Sequence, residues 1–393
     1  MARNIIMGID VGTSAVKTII AEKIKGEKIP QILGTGISPC HGLRRGIVVS
    51  EHDAALAIKN SVRQACKEAG LTAKQAFVSI GSSSIDGARS KGSIMVSRAD
   101  HEITENDLKR AINQSKTQLS RNSSSYLLNR EILHHSPILY KVDDDQIIGS
   151  PVGMRGEKLE TETLFTTVLS QHLNSLIKSF DIAGITIEDI TSDSWATSHA
   201  LLSRKEKEVG CLLVNIGADT SSLVVFEEGG PISLEIFPIG SNHITYDIAR
   251  GFQILLDEAE ELKIAYGSDP ATKRKLSTII EPRLNDIFEL VENHLSKIKR
   301  DQLLPAGIIL TGGGSNLTGM EEIAKNSLKL PVRTSSPNLP EGFKNNLNDP
   351  TWIVAWGLCL VGNNEKNDIY DNNIRIFSKI KKPITNILKN FLP

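Results

Sequence analysis

The chain has 393 residues, 45 basic against 46 acidic for a net charge of −1, and is 40% hydrophobic and 23% charged. Those totals describe ordinary globular material long enough for two lobes. Near-neutrality excludes a nucleic-acid binder that works by overall charge, so any electrostatic partnership must come from a local patch.

Four scattered cysteines (Cys40, Cys66, Cys211 and Cys359) form no C-x-x-C pair. They argue against a zinc site or a disulfide scaffold and suit a reducing compartment. The opening MARNIIMGID carries too few apolar residues for a signal peptide, and no stretch approaches the length of apolar chain that spans a bilayer. A cytoplasmic location is therefore expected.

The first predicted unit is NIIMGIDVGTSAVKTIIAEK. Ile5 to Ile9 form an apolar run, Asp10 and Gly12 punctuate it, and Ala15 to Ala21 resume a β-branched pattern, which reads as strand, glycine turn, strand. A dinucleotide fingerprint would need a helix after the turn, and a P-loop would need G-x-x-x-x-G-K-[ST]; neither is present.

Between the hairpins, KGSIMVS, a helical run from Thr104 through Leu119, a serine loop at Ser123 to Ser125 and a hairpin in HHSPILYKVDDDQIIG follow in order. Asp143 to Asp145 read as a solvated turn rather than a metal site.

About half a chain later GCLLVNIGADTSSLVVFEEGG repeats the first unit, with Asn215 and Gly217 where Asp10 and Gly12 stood. Two copies of one unusual hairpin suggest a duplicated domain. Glycine turns of this kind point backbone N–H groups inward and suit phosphate, and Thr13, Ser14, Thr220 and Ser221 add hydroxyl donors. Asp10 beside phosphates fits only with a Mg²⁺ between them, through water. Either hairpin alone is better explained as a tight turn; the pair, together with the element that ends in three glycines, favours a nucleotide.

DEAEELKIAYG, Asp257 to Gly267, is helical, with Glu260 and Lys263 sharing a face. They can serve a ribose and a base, or simply pair at the surface. In GIILTGGGSNLTGMEEIAKNSL a strand runs into Gly312, Gly313, Gly314 and Ser315 before a helix near Gly319. Three glycines clear a surface on which a planar nucleoside can lie; a sharp loop has the same spacing.

After TWIVAWGLCLVG, Thr351 to Gly362, the chain becomes the polar NNEKNDIYDNN, which reads as a linker. The last segment, Ile374 to Pro393, places Ile376, Phe377, Ile380, Ile384, Ile387, Leu388, Phe391 and Leu392 at helical spacing, with Arg375, Lys379, Lys381, Lys382 and Lys389 on the other face or its flanks and no acid. That pattern predicts a helix lying on an anionic membrane surface. Docking in a protein groove is the alternative, and Pro383 bends or divides the helix.

The order D-x-G-T hairpin, second hairpin, TGGGS resembles the actin, sugar kinase and heat-shock chaperone superfamily. HGLRRGIVVSE, GSPVGMRGEKLETET, PIGSNHITYDIARGF and EAEELKIAYG are similar to segments of the bacterial cell-division FtsA family, over almost the whole chain.

The resemblance implies an α/β, actin-like two-lobed fold of duplicated ribonuclease-H-like domains. Residues 1–81 and 164–205 would form the first lobe (1A), 82–163 an inserted subdomain (1C), 206–238 and 307–361 the second lobe (2A) and 239–306 its subdomain 2B. A linker at 362–373 and an amphipathic membrane-binding helix at 374–393 would follow. It implies ATP and Mg²⁺ as cofactors, held by Asp10, Gly12, Thr13, Ser14, Lys17, Asn215, Gly217, Thr220, Ser221, Gly240, Glu260, Lys263 and Gly312 to Ser315.

As partners it implies further copies of the chain in a head-to-tail filament, the C-terminal peptide of FtsZ on the second lobe, late divisome membrane proteins on the inserted subdomain and the anionic membrane, with no nucleic acid. The expected place is the inner face of the cell membrane at the division site.

The second hairpin departs from the family pattern D-x-G-G-G-T-T-D: Asn215 and Ser222 replace its end aspartates. Neither is a base near neutral pH, so slow hydrolysis at best is expected unless Asp219 supplies a displaced carboxylate. A pilus-assembly module like PilM and a small-metabolite kinase are the alternatives within the superfamily.

Overall fold

The computed structural model describes residues 3–122, 126–268, 270–335 and 348–363. The first strands are β1 (Ile5–Val11), β2 (Ala15–Glu22) and β3 (Gln31–Pro39), followed by a two-residue ribbon, β4 (Leu43–Arg44) and β5 (Ile47–Val48). Helix α1 (Glu51–Ala69) begins at Ser50, whose side chain accepts from the Asp53 amide, and stops at Gly70 in the left-handed conformation with φ 65°. Its stripe Ala54, Ala57, Ile58, Ser61, Val62 and Ala65 is buried on β2 and β3. The helix lies so close that a Cβ on Gly36 would stand 2.0 Å from the Ser61 carbonyl oxygen, which is why β3 carries glycine there.

The chain continues through β6 (Gln75–Ile80), β7 (Asp86–Met95), α2 (Glu105–Asn122), β8 (Arg130–Val142), β9 (Asp145–Ile147) and β10 (Lys158–Leu169). Next come α3 (Ser170–Ala183), β11 (Thr186–Ser192), α4 (Asp193–Leu201) and α5 (Arg204–Val209). The second half holds β12 (Cys211–Ile216), β13 (Ser221–Glu227), β14 (Gly230–Phe237), α6 (Ser241–Phe252), α7 (Leu256–Ile264) and α8 (Pro270–Lys297). It ends with β15 (Ile308–Thr311), α9 (Met320–Leu328), β16 (Val332–Thr334) and α10 (Ile353–Asn363).

The duplication is visible in the sheets. The first is ordered β11-β6-β1-β2-β3 and the second contains β16-β15-β12-β13-β14. In each, two parallel strands flank the start of an antiparallel hairpin and a third antiparallel strand follows. Strands buried on both faces, such as β12 with every residue buried, read as continuous apolar runs for that reason.

Helices α1 and α3 cover one face of the first sheet, and α4 and α10 the other. Helices α6 to α9 cover the second. Helix α4 also presents Trp195 to Leu213, Val224 and Phe226 of the second sheet, so it packs between the lobes. The fold is actin-like and α/β.

The insertion adds β7, β10, β8 and β9 with α2 laid across β7 and β10. Although inserted into the first half, these strands join the second sheet, through the single pair Glu235 and Asp86 between β14 and β7. The expected helix and hairpin are α2 and β8–β9. Asp143 and Asp144 adopt positive φ of 50° and 73° in the hairpin turn. The Asp143 carboxylate accepts the Glu157 and Lys158 amides at 2.9 and 2.8 Å, which occupies it in turn formation. The serine loop Ser123 to Ser125 lies outside the described residues, as do Asn364 to Asn373 and the whole predicted amphipathic helix.

Candidate functional site

The two hairpin turns are built alike. The Gly12 amide donates to the Ala15 carbonyl at 3.2 Å and the Gly217 amide to the Thr220 carbonyl at 2.8 Å. A Cβ would lie 2.9 Å from the first of these oxygens and 3.0 Å from the second, so each turn is as tight as glycine permits. They face one another across a cavity of about 510 Å³.

Asp10, Gly12, Thr13, Ser14, Lys17, Gly217, Glu260, Lys263, Gly312, Gly313 and Gly314 all line this cavity. Asp10 accepts from Ser79 Oγ at 2.8 Å. Burial pushes its carboxyl above the ordinary carboxylate value, opposed by the Lys17 ammonium and the Ser79 hydroxyl. Burial pulls the Lys17 ammonium down, opposed by Asp10 and Asp349. A cation and a carboxylate held out of bulk water at the mouth of a glycine turn suit a polyphosphate with its metal.

On the opposite wall Lys263 Nζ donates to Glu260 Oε2 at 2.6 Å and to Thr245 Oγ1 at 2.9 Å, while Thr245 Oγ1 donates to the same carboxylate at 2.6 Å. The Lys263 side chain is only 7% exposed against 42% for Glu260, so this pair is a fixed part of the cavity wall rather than a solvated surface pair. Gly312 has φ 85°, and a Cβ there would fall 2.3 Å from Asn215 Oδ1. The Ser315 hydroxyl closes the glycine turn by donating to the Gly312 carbonyl at 2.7 Å.

Five of the predicted residues stand behind the wall instead. Ser221 donates to the Ile239 carbonyl, and Thr220 supplies the carbonyl already named. Ser315 closes its turn, while Gly240 packs on the backbone of Ala218 and its neighbours Ser241 and Asn242 reach the cavity. The fifth, Asn215, has a different task.

Its Nδ2 donates to Asp193 Oδ2 at 3.3 Å, and Ser222 Oγ donates to the same oxygen at 2.8 Å. The two neutral residues that replace the family's aspartates thus serve one buried carboxylate on the first turn of α4. Burial raises that carboxyl to about 6, with Ser222, the Ser194 amide and Asn215 opposing the rise and Asp10 adding to it.

Asp193 was missed because DSWATS carries no glycine signature. Asp349 and Thr351, which also line the cavity, were missed because they follow a long polar stretch. Asp219 turns away from the cavity. It accepts the Arg45 amide at 3.2 Å and Asn242 Nδ2 at 2.8 Å, while the next amide, Gly46, donates to Thr13 Oγ1 at 3.1 Å. The turn between β4 and β5 therefore clasps both hairpins.

A nucleoside triphosphate with Mg²⁺ fits this donor set. Side-chain-free backbone at Gly312 to Gly314, a Lys–Glu pair and two glycine turns surround Asp10, Asp349 and the buried Lys17 ammonium. Among the described residues no cluster of three His, Cys, Asp or Glu side chains is placed to hold a metal; Asp10 and Asp349 line the cavity and could direct one through water. No helix among them is long and apolar enough to cross a membrane.

A family model described as cell division protein FtsA matches residues 212–357, and one described as the SHS2 domain inserted in FtsA matches residues 82–167. The chain is 30% identical to the cell division protein FtsA of Borreliella burgdorferi, over 97% of this chain and 94% of that one. It is 27% identical to the Pseudomonas aeruginosa FtsA, over 92% and 90%.

Among solved structures, the PilM–PilN type IV pilus biogenesis complex superposes with a TM-score of 0.70 at 19% identity, over 91% of this chain and 98% of that one. MreB5 of Spiroplasma citri bound to ADP gives 0.50 at 12% identity, over 90% and 94%. At those identities the two structures speak for the fold alone.

Proposed function

Because the chain belongs to the cell division protein FtsA family, we propose that it binds ATP with Mg²⁺ between its lobes, assembles into head-to-tail filaments and tethers FtsZ to the cytoplasmic membrane. The observation that carries the nucleotide reading is the facing of two matched glycine turns across one cavity, with Asp10 and Lys17 on one side and Lys263 and Glu260 on the other. The phosphates would lie on the turns and Lys17, the ribose and base against Glu260, Lys263 and Gly312 to Gly314, and the metal beside Asp10.

Hydrolysis is slow in this reading. Asn215 and Ser222 are spent as donors to Asp193, and Asp219 is held by Arg45 and Asn242. No ionised carboxylate of the second hairpin is left to orient water, so nucleotide acts as an assembly ligand. Titration with a fluorescent ATP analogue tests the binding, with and without Mg²⁺; absence of saturable binding would sink it. A steady-state turnover above about 1 s⁻¹ would sink the slow-hydrolysis part.

The membrane contact rests on the sequence of Ile374 to Pro393, in which five cations and nine Ile, Leu and Phe residues share a segment without an acid. The FtsZ peptide is assigned to the corner between α6 and α7. Phe252, Leu255 and Leu256 are 40%, 73% and 53% exposed there, an apolar anchor point outside the nucleotide cavity.

A further inference from the structure

Helix α10 ends against the turn between β2 and β3, and the contact is specific. The Asn363 side-chain amide donates to the Lys28 carbonyl at 2.8 Å, and the Lys23 ammonium donates to the Asn363 carbonyl. Asn363 itself is only 6% exposed. The last described residue is therefore fastened to both sides of that turn, so the chain departs from a fixed point on the first lobe.

The turn has a composition of its own. Residues 23–29 read KIKGEKI, three lysines and two isoleucines against one glutamate. Lys25 to Lys28 are exposed, and Ile29 is 49% exposed. Gly26 takes φ +92°, and a Cβ there would meet nothing within 4 Å, so the tip stands clear of the rest of the protein. Arg3 lies alongside, 3.8 Å from Glu22, and the Asn4 carbonyl accepts the Lys23 amide. Ammonium groups beside an exposed isoleucine, Ile29, on a protruding turn are the ingredients of contact with an anionic interface.

The sequence beyond Asn363 sets the distance. About ten polar residues separate it from Ile374, a reach of at most roughly 35 Å when fully extended. Once the tail is on a bilayer, the turn at its root is held close to the same surface, where even a weak second contact acts at high effective concentration.

We infer that the β2–β3 turn, Lys23 to Ile29, is a second membrane contact that seats the first lobe on anionic lipid. The inference rests on the reading of Ile374 to Pro393 as a membrane anchor. It adds that the protein meets the bilayer in one orientation, first lobe down, rather than swinging from a linker.

The test uses the full chain on vesicles of neutral lipid with and without anionic phosphatidylglycerol. The variant Lys25→Glu/Lys28→Glu exchanges two cations for two anions and is expected to weaken sedimentation with anionic vesicles at least about tenfold, with an unchanged thermal unfolding profile. In a second arm, an environment-sensitive dye is attached at Lys25→Cys in a Cys66→Ser background, because Cys66 is the one cysteine not fully buried. Its emission should shift to the blue on anionic vesicles only.

If the parent chain sediments but the charge variant sediments equally and the dye does not shift, the turn faces away from the membrane and the inference falls while the anchor reading stands. If the parent chain itself fails to sediment, the anchor reading falls and takes the inference with it. A dye shift that follows protein assembly in the absence of vesicles assigns the turn to a protein contact and also overturns the inference.

Discussion

Asp193→Asn tests whether the second hairpin has been rebuilt around a buried carboxylate. Asp193 is 7% exposed and takes hydrogen bonds from Ser222, Asn215 and the Ser194 amide, yet its carboxyl sits at about 6 against an ordinary 3.8, because desolvation outweighs the three donors. At about 1.4 kcal/mol per unit, holding it ionised near neutral pH costs on the order of 3 kcal/mol of folding free energy.

A carboxyl raised in the folded state favours folding at low pH, where the folded form holds a proton that the unfolded form has lost. That advantage disappears as pH rises from about 4 through about 6. Between about pH 5 and about pH 7.5 the parent protein should lose roughly 1.4 kcal/mol relative to the variant.

With its oxygen placed to accept from Ser222 and Asn215, the asparagine turns its NH₂ toward the Ser194 amide, so the variant keeps two of the three hydrogen bonds, loses the third and sheds the charge. Urea unfolding of nucleotide-free protein in EDTA, read at both pH values, measures the difference. A variant whose stability falls between those two pH values as steeply as the parent's would refute the reasoning, because the buried carboxyl would then not be the group that titrates.

Gly313→Val should leave folding intact but lower affinity for a fluorescent ATP analogue at least about a hundredfold: even a Cβ there stands 3.2 Å from Thr351 Cγ2, and the branched side chain fills the flat floor. Lys263→Ala removes the buried ammonium shared by Glu260 and Thr245 and should weaken the same titration by about tenfold or more, the range of a charge-assisted hydrogen bond. Asp219→Ala frees the Arg45 amide and Asn242 and should reduce stability by about 1–3 kcal/mol in urea unfolding. A chain ending at Asn372 should no longer sediment with anionic vesicles, and sedimentation equal to that of the full chain would remove the tail from the membrane reading.

What the sequence disclosed was whatever a short window can hold. Asp10 and Gly12, their counterparts Asn215 and Gly217, and the glycines 312 to 314 announce themselves because a tight turn needs glycine at a fixed distance from the strand before it. Glu260 and Lys263 were visible as a shared helix face, but their burial against Thr245 was not.

The remainder depends on contacts between distant segments. Asp193 acquires meaning only when Ser222 and Asn215 close on it. Asp219 looks like a flaw in a glycine run until the Arg45 amide arrives from the other lobe. The fastening of Asn363 to Lys23 and Lys28 joins residues from opposite ends of the chain. No periodicity encodes such pairings, because each is settled by which surfaces the completed fold brings together.

The inserted strands meet the second sheet at one ladder pair, Glu235 opposite Asp86, and at Arg89, whose guanidinium donates to the Ile232 carbonyl at 2.6 Å, while their chain ends enter and leave through the first lobe. Each member of the pair is braced from its own side, Glu235 by His294 and Asp86 by the Tyr126 hydroxyl at 2.6 Å. Packing adds to these attachments, for Leu133 and Val168 of the insertion share a core cluster with Leu234 and Ile236 of β14. Any rotation that narrows the cavity has to carry the inserted strands along with β14 or break these attachments, which makes their position a mechanical readout of how far the cavity has closed.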